Sequence, residues 1–125
     1  ADATSGGNTA SGTFYGTYTK VGRKVYCQLF LLNINKTGMT SGNTLYLRGM
    51  PFTSNSSDQG GRANAACRCD HINFTNYVMA AYGPNSTIVT FQDIIDSAND
   101  VGLTVASITS SGTSDIFFDI TYQTN

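Results

Sequence analysis

The sequence predicts an all-β protein, an antiparallel β-sandwich of jelly-roll type, and three observations lead to this prediction. The chain contains no Glu and no Trp and is rich in Thr, Ser, Asn and Gly, so strand and turn formers outnumber helix formers. Short apolar runs recur along the chain and are separated by clusters of turn residues. No segment carries a long helical repeat. The 125 residues are the size of one domain.

The first two predicted strands follow a polar start. Residues 1–12 are small, polar and rich in Gly, and we predict a flexible lead-in or linker there, with the β-sandwich head domain over residues 13–125. Residues 13–21 and 24–34 are strand-like, and the Gly22-Arg23 pair between them predicts a hairpin turn.

The second of these strands is predicted to be covered on both faces. Val25, Cys27, Leu29 and Leu31 lie on one face by alternation, and Tyr26, Phe30, Leu32 and Ile34 lie on the other. A strand that is apolar on both faces belongs in the middle of a sheet, so we expect a second sheet on one side and a neighbouring copy or loop on the other.

The rest of the chain continues the same pattern of strands and turns. Ile94, Ile95 and Ala98 fit a short helical turn and an irregular loop equally well, so residues 92–100 stay open. Residues 53–61 are almost entirely polar and predict a surface loop. The remaining predicted strands are residues 44–48, 62–70, 87–91, 103–108 and 115–122. Residues 72–82 are apolar, with aromatic and Met residues interleaved.

Two short segments resemble motifs of a known group of proteins. Residues 18–25 read Tyr-Thr-Lys-Val-Gly-Arg-Lys-Val and residues 47–52 read Leu-Arg-Gly-Met-Pro-Phe. They resemble Tyr-x-Lys-Ile-Gly-x-x-Val followed by Ile-x-Gly-Leu-Pro-Phe in small C-terminal domains of bacteriophage tail fibre and other virion structural proteins. Val21 and Met50 depart from that pattern but keep apolar bulk. Residues 116–122 also resemble the last strand of such domains.

This resemblance implies a function that is structural and adhesive. It implies a non-enzymatic virion domain, made in the bacterial host cytoplasm, at the tip of a tail fibre or similar appendage. Such a domain is a homotrimer that binds a host cell-surface glycan or protein and joins other virion proteins through an upstream region. Two alternatives remain open: a carbohydrate-binding or trimerisation module of a tailspike depolymerase, and a purely architectural capsid or appendage decoration domain.

Charge and hydropathy narrow the choice of partners. Charged residues make up 12% of the chain and the formal net charge is -1, so no basic field is available to attract nucleic acid. No apolar run approaches the roughly 18 residues of a membrane-spanning helix. We therefore expect neither nucleic-acid binding nor membrane insertion, and no cofactor.

The cluster of Cys67, Cys69, Asp70 and His71 contains residue types that bind metal ions. The usual Cys-x-x-Cys spacing is absent, and strand alternation places Asp70 on the face opposite to the other three. Three cysteines cannot all pair within one chain. We predict reduced thiols in small strand positions, with no metal site.

No arrangement of catalytic residues stands out in the sequence. His71 is the one histidine of the chain, and no Ser lies in a nucleophile motif. Asp93 and Asp96 could form a carboxylate pair, but we expect both to cap turns.

Glycan recognition needs aromatic rings for the apolar faces of sugars and neutral polar groups for the hydroxyls. The predicted loops contain both. The candidate receptor-binding residues are Asn55, Ser57, Asp58, Gln59, Arg62, Tyr77, Tyr82 and Asn85.

Overall fold

The structure, a computed structural model, describes the backbone of residues 2–5 and 8–125 and the side chains of residues 8–57 and 60–125. Within this part of the chain, strands dominate and every strand pairing is antiparallel, which confirms the predicted all-β class. A four-residue helix α1 (Asp58–Gly61) and a 3-10 helix (Val105–Ser107) lie in connecting segments. The strands are β1 (Asp2–Ser5), β2 (Asn8–Thr9), β3 (Ser11–Val21), β4 (Lys24–Asn35), β5 (Tyr46–Arg48), β6 (Ala63–Ala66), β7 (Arg68–Asp70), β8 (Tyr77–Tyr82), β9 (Ile88–Ile94), β10 (Val101–Gly102) and β11 (Ser114–Gln123).

The strands form two sheets. Sheet A has the order β2-β1-β5-β9-β8-β6, with β10 also paired to β9, and sheet B has the order β3-β4-β11-β7. The two sheets share one core, in which Phe91 of sheet A meets Phe118 of sheet B edge to face with 5.7 Å between ring centroids. Burial of both inner faces supplies the main driving force for this sandwich-like arrangement.

The predicted hairpin is present between β3 and β4. Val21 pairs with Lys24, and Gly22 takes a left-handed φ of 57°, which glycine adopts without a steric cost. The second motif also bends at its glycine, because Gly49 has a φ of 86° at the end of β5. Both motifs therefore fix chain direction.

One residue of β4 changes the predicted pattern of faces. Asn33 has a φ of 55°, and the pairing of β4 slips by one residue relative to both β3 and β11 at this point. The bulge is held by the backbone N–H of Asn33, which donates to Oδ1 of Asp115 at 2.7 Å. Ile34 is consequently buried in the core beside Leu31, so its predicted place on the outer face is wrong.

Three other predictions of local structure are wrong. Residues 2–5 and 8–9 are strands β1 and β2 within sheet A instead of linker. The predicted strand 62–70 divides at Cys67, because β6 belongs to sheet A and β7 to sheet B. The segment 103–108 contains the 3-10 helix instead of a continuous strand. The open segment 92–100 continues β9 to Ile94 and then turns.

The bulge gives a test of the fold. Replacing Asn33 by Val is expected to lower the free energy of unfolding by about 1–2 kcal/mol, since a β-branched residue is disfavoured at positive φ. Denaturant unfolding of both proteins measures the difference. Asn33→Gly is the matched control, because glycine accepts this φ, and an equal loss in both variants would contradict the explanation.

Candidate functional site

The loop that was predicted to carry the receptor site is tied firmly to the sandwich. Ser54 is fully buried, and its hydroxyl donates to the carbonyl of Gly83 at 2.6 Å and accepts from the backbone N–H of Ser86 at 2.9 Å. The backbone N–H of Ser54 donates in turn to the carbonyl of Ser86 at 2.9 Å. The loop is thereby attached to the turn that follows β8.

Asn55 organises the inside of this loop. Its side chain is 6% exposed, and Oδ1 accepts from the backbone N–H and the hydroxyl of Ser57 at 2.8 and 2.7 Å. Its backbone N–H donates to the carbonyl of Gln123 at 2.7 Å, and its carbonyl accepts from the N–H of Asn85 at 3.0 Å. Asn55 is thus a structural residue and is not placed to contact a receptor.

Gly61 makes the close packing of this loop possible. A Cβ at this position would lie 2.6 Å from Cα of Pro84 and nearer still to the carbonyl oxygen of Asn55. The short helix α1 before it is capped by Ser57, whose hydroxyl accepts from the N–H of Gly60 at 3.1 Å. The backbones of the loop and of the turn are therefore in contact. Arg62, the residue that follows α1, is exposed.

A hollow of about 250 Å³ lies beside this junction, on the outer face of sheet A. Its floor is a cross-strand row in which Asn64 pairs with Ala81 and Ala81 pairs with Thr90. The small side chain of Ala81 leaves the space, and Arg62 and Gly83 border it. Gln92 orients the row by donating from Nε2 to the Thr90 hydroxyl at 3.2 Å. We call this feature the Ala81 hollow.

The predicted receptor residues are distributed over three kinds of environment. Arg62 lines the Ala81 hollow, and the exposed Ser57 and Asn85 lie in the loop and turn beside it. Tyr77 is exposed, but it pairs with Ile94 at the opposite end of β8. Tyr82 also contributes to the lining of the Ala81 hollow, but it is 1% exposed and its hydroxyl donates to the carbonyl of Ser86 at 2.6 Å, so its side chain belongs to the core. The side chains of Asp58 and Gln59 lie outside the described residues.

Sequence reasoning missed Asn64, Ala81 and Thr90. All three occupy half-buried or exposed positions on strands, where alternation with buried residues marks them as outward-facing. What places them side by side is the pairing of β6, β8 and β9. The signal is that outward-facing polar residues, Asn64 and Thr90, flank the small Ala81 on neighbouring strands. This signal can be recognised only when the order of the strands is known.

The outer face of sheet B carries a row of aromatic side chains. Tyr15, Phe30 and Phe117 are paired across β3, β4 and β11, and Arg68 of β7 continues the row. The rings of Tyr15 and Phe30 stack at 4.8 Å, Phe117 meets Phe30 edge to face at 5.8 Å, and the guanidinium of Arg68 lies 5.5 Å from the Phe117 centroid. Because these rings face one another, they offer little flat surface on which a sugar could stack.

The cysteines lie in the sandwich as buried or half-buried thiols. Cys27 is buried, and all three cysteines are free. Burial raises the pKa of Cys67 to about 12, with a smaller contribution from the neighbouring Cys69, and burial raises the pKa of Cys69 to about 11. His71 turns instead toward Asp70, with Nδ1 3.2 Å from Oδ1. Among the described residues, no three His, Cys or Asp side chains converge in a manner that could hold a metal ion.

The two carboxylates considered for catalysis have structural surroundings. Asp93 is 6% exposed, and its oxygens accept from the backbone N–H groups of Thr75 and Asn76 at 2.7 and 3.4 Å. It therefore caps the turn that precedes β8, as expected from the sequence. Asp96 is exposed and accepts from the hydroxyl of Ser97 at 3.3 Å.

Comparisons with protein-family models, with curated proteins and with solved structures return no match for this chain. No helix within the described residues has the length and apolar character needed to cross a membrane.

The raised thiol pKa values predict a fall in stability in alkaline solution. In the unfolded chain these thiols ionise near 9.0, whereas the folded protein keeps Cys67 and Cys69 protonated to about pH 12 and 11. The contribution is therefore complete below pH 9 and is lost as pH rises toward 11–12.

Thermal unfolding between pH 8 and 10 should show this decline in the native chain (the range is about one unit on either side of the ordinary thiol pKa). A variant with both Cys67→Ala and Cys69→Ala is expected to show a flatter profile over the same range. An equally steep profile in the variant would rule out these thiols as the cause.

Proposed function

We propose that this chain is a non-enzymatic virion structural domain of a bacteriophage tail fibre or similar appendage, and that it binds a glycan on the host surface. The single observation that carries the proposed binding is the Ala81 hollow. Its lining combines an amide, a hydroxyl and backbone groups with one guanidinium, which are groups that hydrogen-bond neutral hydroxyls.

The size of the Ala81 hollow limits what it could bind. Its volume of about 250 Å³ lies below the roughly 300–1,000 Å³ typical of pockets for drug-sized ligands, so it suits one sugar unit of a longer chain. Binding to one such unit is weak. Several copies acting together on a dense glycan surface would supply the affinity, because tethering raises the effective concentration of each site.

The proposed assembly is a homotrimer of jelly-roll domains, with the outer face of sheet B turned toward neighbouring copies. Tyr15 and Tyr26 remain 48% and 40% exposed on that face of the single chain, and Phe30 and Phe117 are half-buried on the same face. The centre of this face is aromatic, and the charged residues Lys24, Arg68, Asp70 and Asp119 lie around it. An aromatic centre with a polar rim is typical of contacts between subunits. The motif segments 18–25 and 47–52 support the proposal by resemblance alone.

Filling the Ala81 hollow tests the binding function. Ala81→Leu is expected to weaken glycan binding by about tenfold or more, since the added side chain would occupy the space meant for the sugar. The probe is an array of bacterial surface glycans printed at high density, read with the purified native protein and the variant.

Ala98→Leu is the matched control, because it makes the same substitution at an exposed position in the turn after β9. Thermal unfolding should verify that both variants fold. Binding that survives Ala81→Leu would move the site elsewhere, and a native assembly that binds nothing on the array would favour the architectural alternative.

Charge placed on the outer face of sheet B tests the trimer. Gln28→Arg with Thr121→Arg is expected to reduce the mass of the assembly to one third, as measured by light scattering, because the contact would have to bury two added charges. Both positions are exposed in the single chain. Ala98→Arg with Asn99→Arg adds the same charge to an exposed turn and should leave the mass unchanged.

A further inference from the structure

The four-stranded sheet B has one long edge and one short edge. Strand β3 at one end has eleven residues, whereas β7 at the other end has three. Both outward-facing residues of β7 are charged, Arg68 and Asp70, and β7 is thus protected in the usual way against pairing with another strand. The long edge has no such protection along most of its length.

Strand β3 is exposed on both of its faces. Every one of its side chains is exposed except Phe14, which is half-buried. Tyr15, Tyr18 and Val21 are 48%, 56% and 75% exposed. Alternate residues of an edge strand also direct backbone N–H and C=O groups away from the sheet. The strand therefore presents apolar side chains together with a row of hydrogen-bonding groups.

We propose that β3 pairs antiparallel with the β3 of a second copy of this chain, so that two copies of sheet B join into one continuous sheet. This proposal goes beyond the receptor-binding function and does not depend on it. The sequence of β3 itself indicates a second copy as the partner, because compatible residues face one another when the strand is aligned antiparallel with itself.

A two-fold axis at Gly16 pairs the whole strand. Gly16 is the midpoint of Ser11–Val21, so every residue of β3 gains a partner in this register. Lys20 is the one charged residue of the strand, and it would lie opposite Gly12 of the other copy, with no charge facing it. At the axis two glycines meet, where no side chain obstructs the approach.

The same register pairs aromatic residues on the inner face. Phe14 and Tyr18 both point to this face, because they pair with Leu31 and Cys27 of β4. In the paired strands, Phe14 of each copy would lie opposite Tyr18 of the other, a cross-strand combination that stabilises sheets. Tyr18 also borders a groove of about 200 Å³ between β3 and the bend at Gly49 and Pro51. Phe14 of the second copy would lie at the opening of that groove.

The register gives a sharp test, because it places Thr13 opposite Thr19 of the other copy. Both side chains are exposed on the outer face of β3. Thr13→Lys with Thr19→Lys would set two like-charged pairs across the contact, and we expect self-association to weaken by about tenfold or more. Thr13→Lys with Thr19→Asp would instead place two pairs of opposite charges across the contact, and we expect association to be retained.

The mass of the assembly is measured at low salt by light scattering and sedimentation over a range of protein concentrations. The doubly Lys variant should have half the mass of the native assembly, whether that assembly holds two copies or two trimers. High salt should partly restore its association, since ions screen exposed charges. Thermal unfolding checks that each variant folds, and Thr13→Asp with Thr19→Asp provides a second like-charged pair.

Three results would overturn the proposal. The first is a native protein whose mass shows no two-fold association at any concentration. The second is an equal loss of association in the Lys/Lys and Lys/Asp variants, which would mean that Thr13 and Thr19 do not face each other. The third is native association in both like-charged variants. A loss of the trimer alone, produced by charge at Gln28 and Thr121, would leave the β3 pair intact.

Discussion

The carbonyl of Phe52 joins the two sheets to the bend after β5. The hydroxyl of Tyr122, on sheet B, donates to it at 3.1 Å, and the hydroxyl of Tyr82, on sheet A, lies 2.9 Å away. The two rings meet edge to face at 4.7 Å. Burial raises the pKa of Tyr82 to about 12 and raises that of Tyr122 as well, so both hydroxyls remain protonated and available as donors. The two sheets and the bend after β5 are thus fixed at one point.

The loop after the bend is held in place by buried polar groups. Ser54 and Asn55 follow Phe52 after Thr53. Both are buried and hydrogen-bonded to backbone groups of the turn after β8 or of the last strand. Buried polar side chains without such partners would cost about 1–3 kcal/mol each. Ser54 and Asn55 therefore stabilise the loop itself. Most of the residues that line the Ala81 hollow beside it come from strands.

Features set by neighbouring residues were predictable from the sequence, whereas features set by long-range strand pairing were not. The β3–β4 hairpin and strand β11 were predicted closely because alternation and turn residues are local signals. The bulge at Asn33 was missed, since one extra residue reverses the faces without altering composition. The division at Cys67 was missed for a related reason: a run of small residues fits either sheet. Nothing local marks the residue at which the chain crosses between them.

The candidate site shows the same limit more strongly. Arg62 was selected from the sequence and does line the Ala81 hollow, but Asn64, Ala81 and Thr90 come from three strands and are joined only by register. Tyr82 and Asn55 were selected for chemistry suited to glycans and are instead buried. An aromatic ring or an amide has the same sequence signature in a core as in a binding site, and burial alone separates the two.

The unequal edges of sheet B also bear on how far this protein can assemble. A sheet that can be extended at both ends adds copies without limit and grows into a ribbon. In sheet B the far edge is three residues long and charged, so extension is open in one direction only. Growth through this sheet therefore stops at a closed pair, and the chain can combine a low surface charge with a long open strand without forming fibres through sheet B.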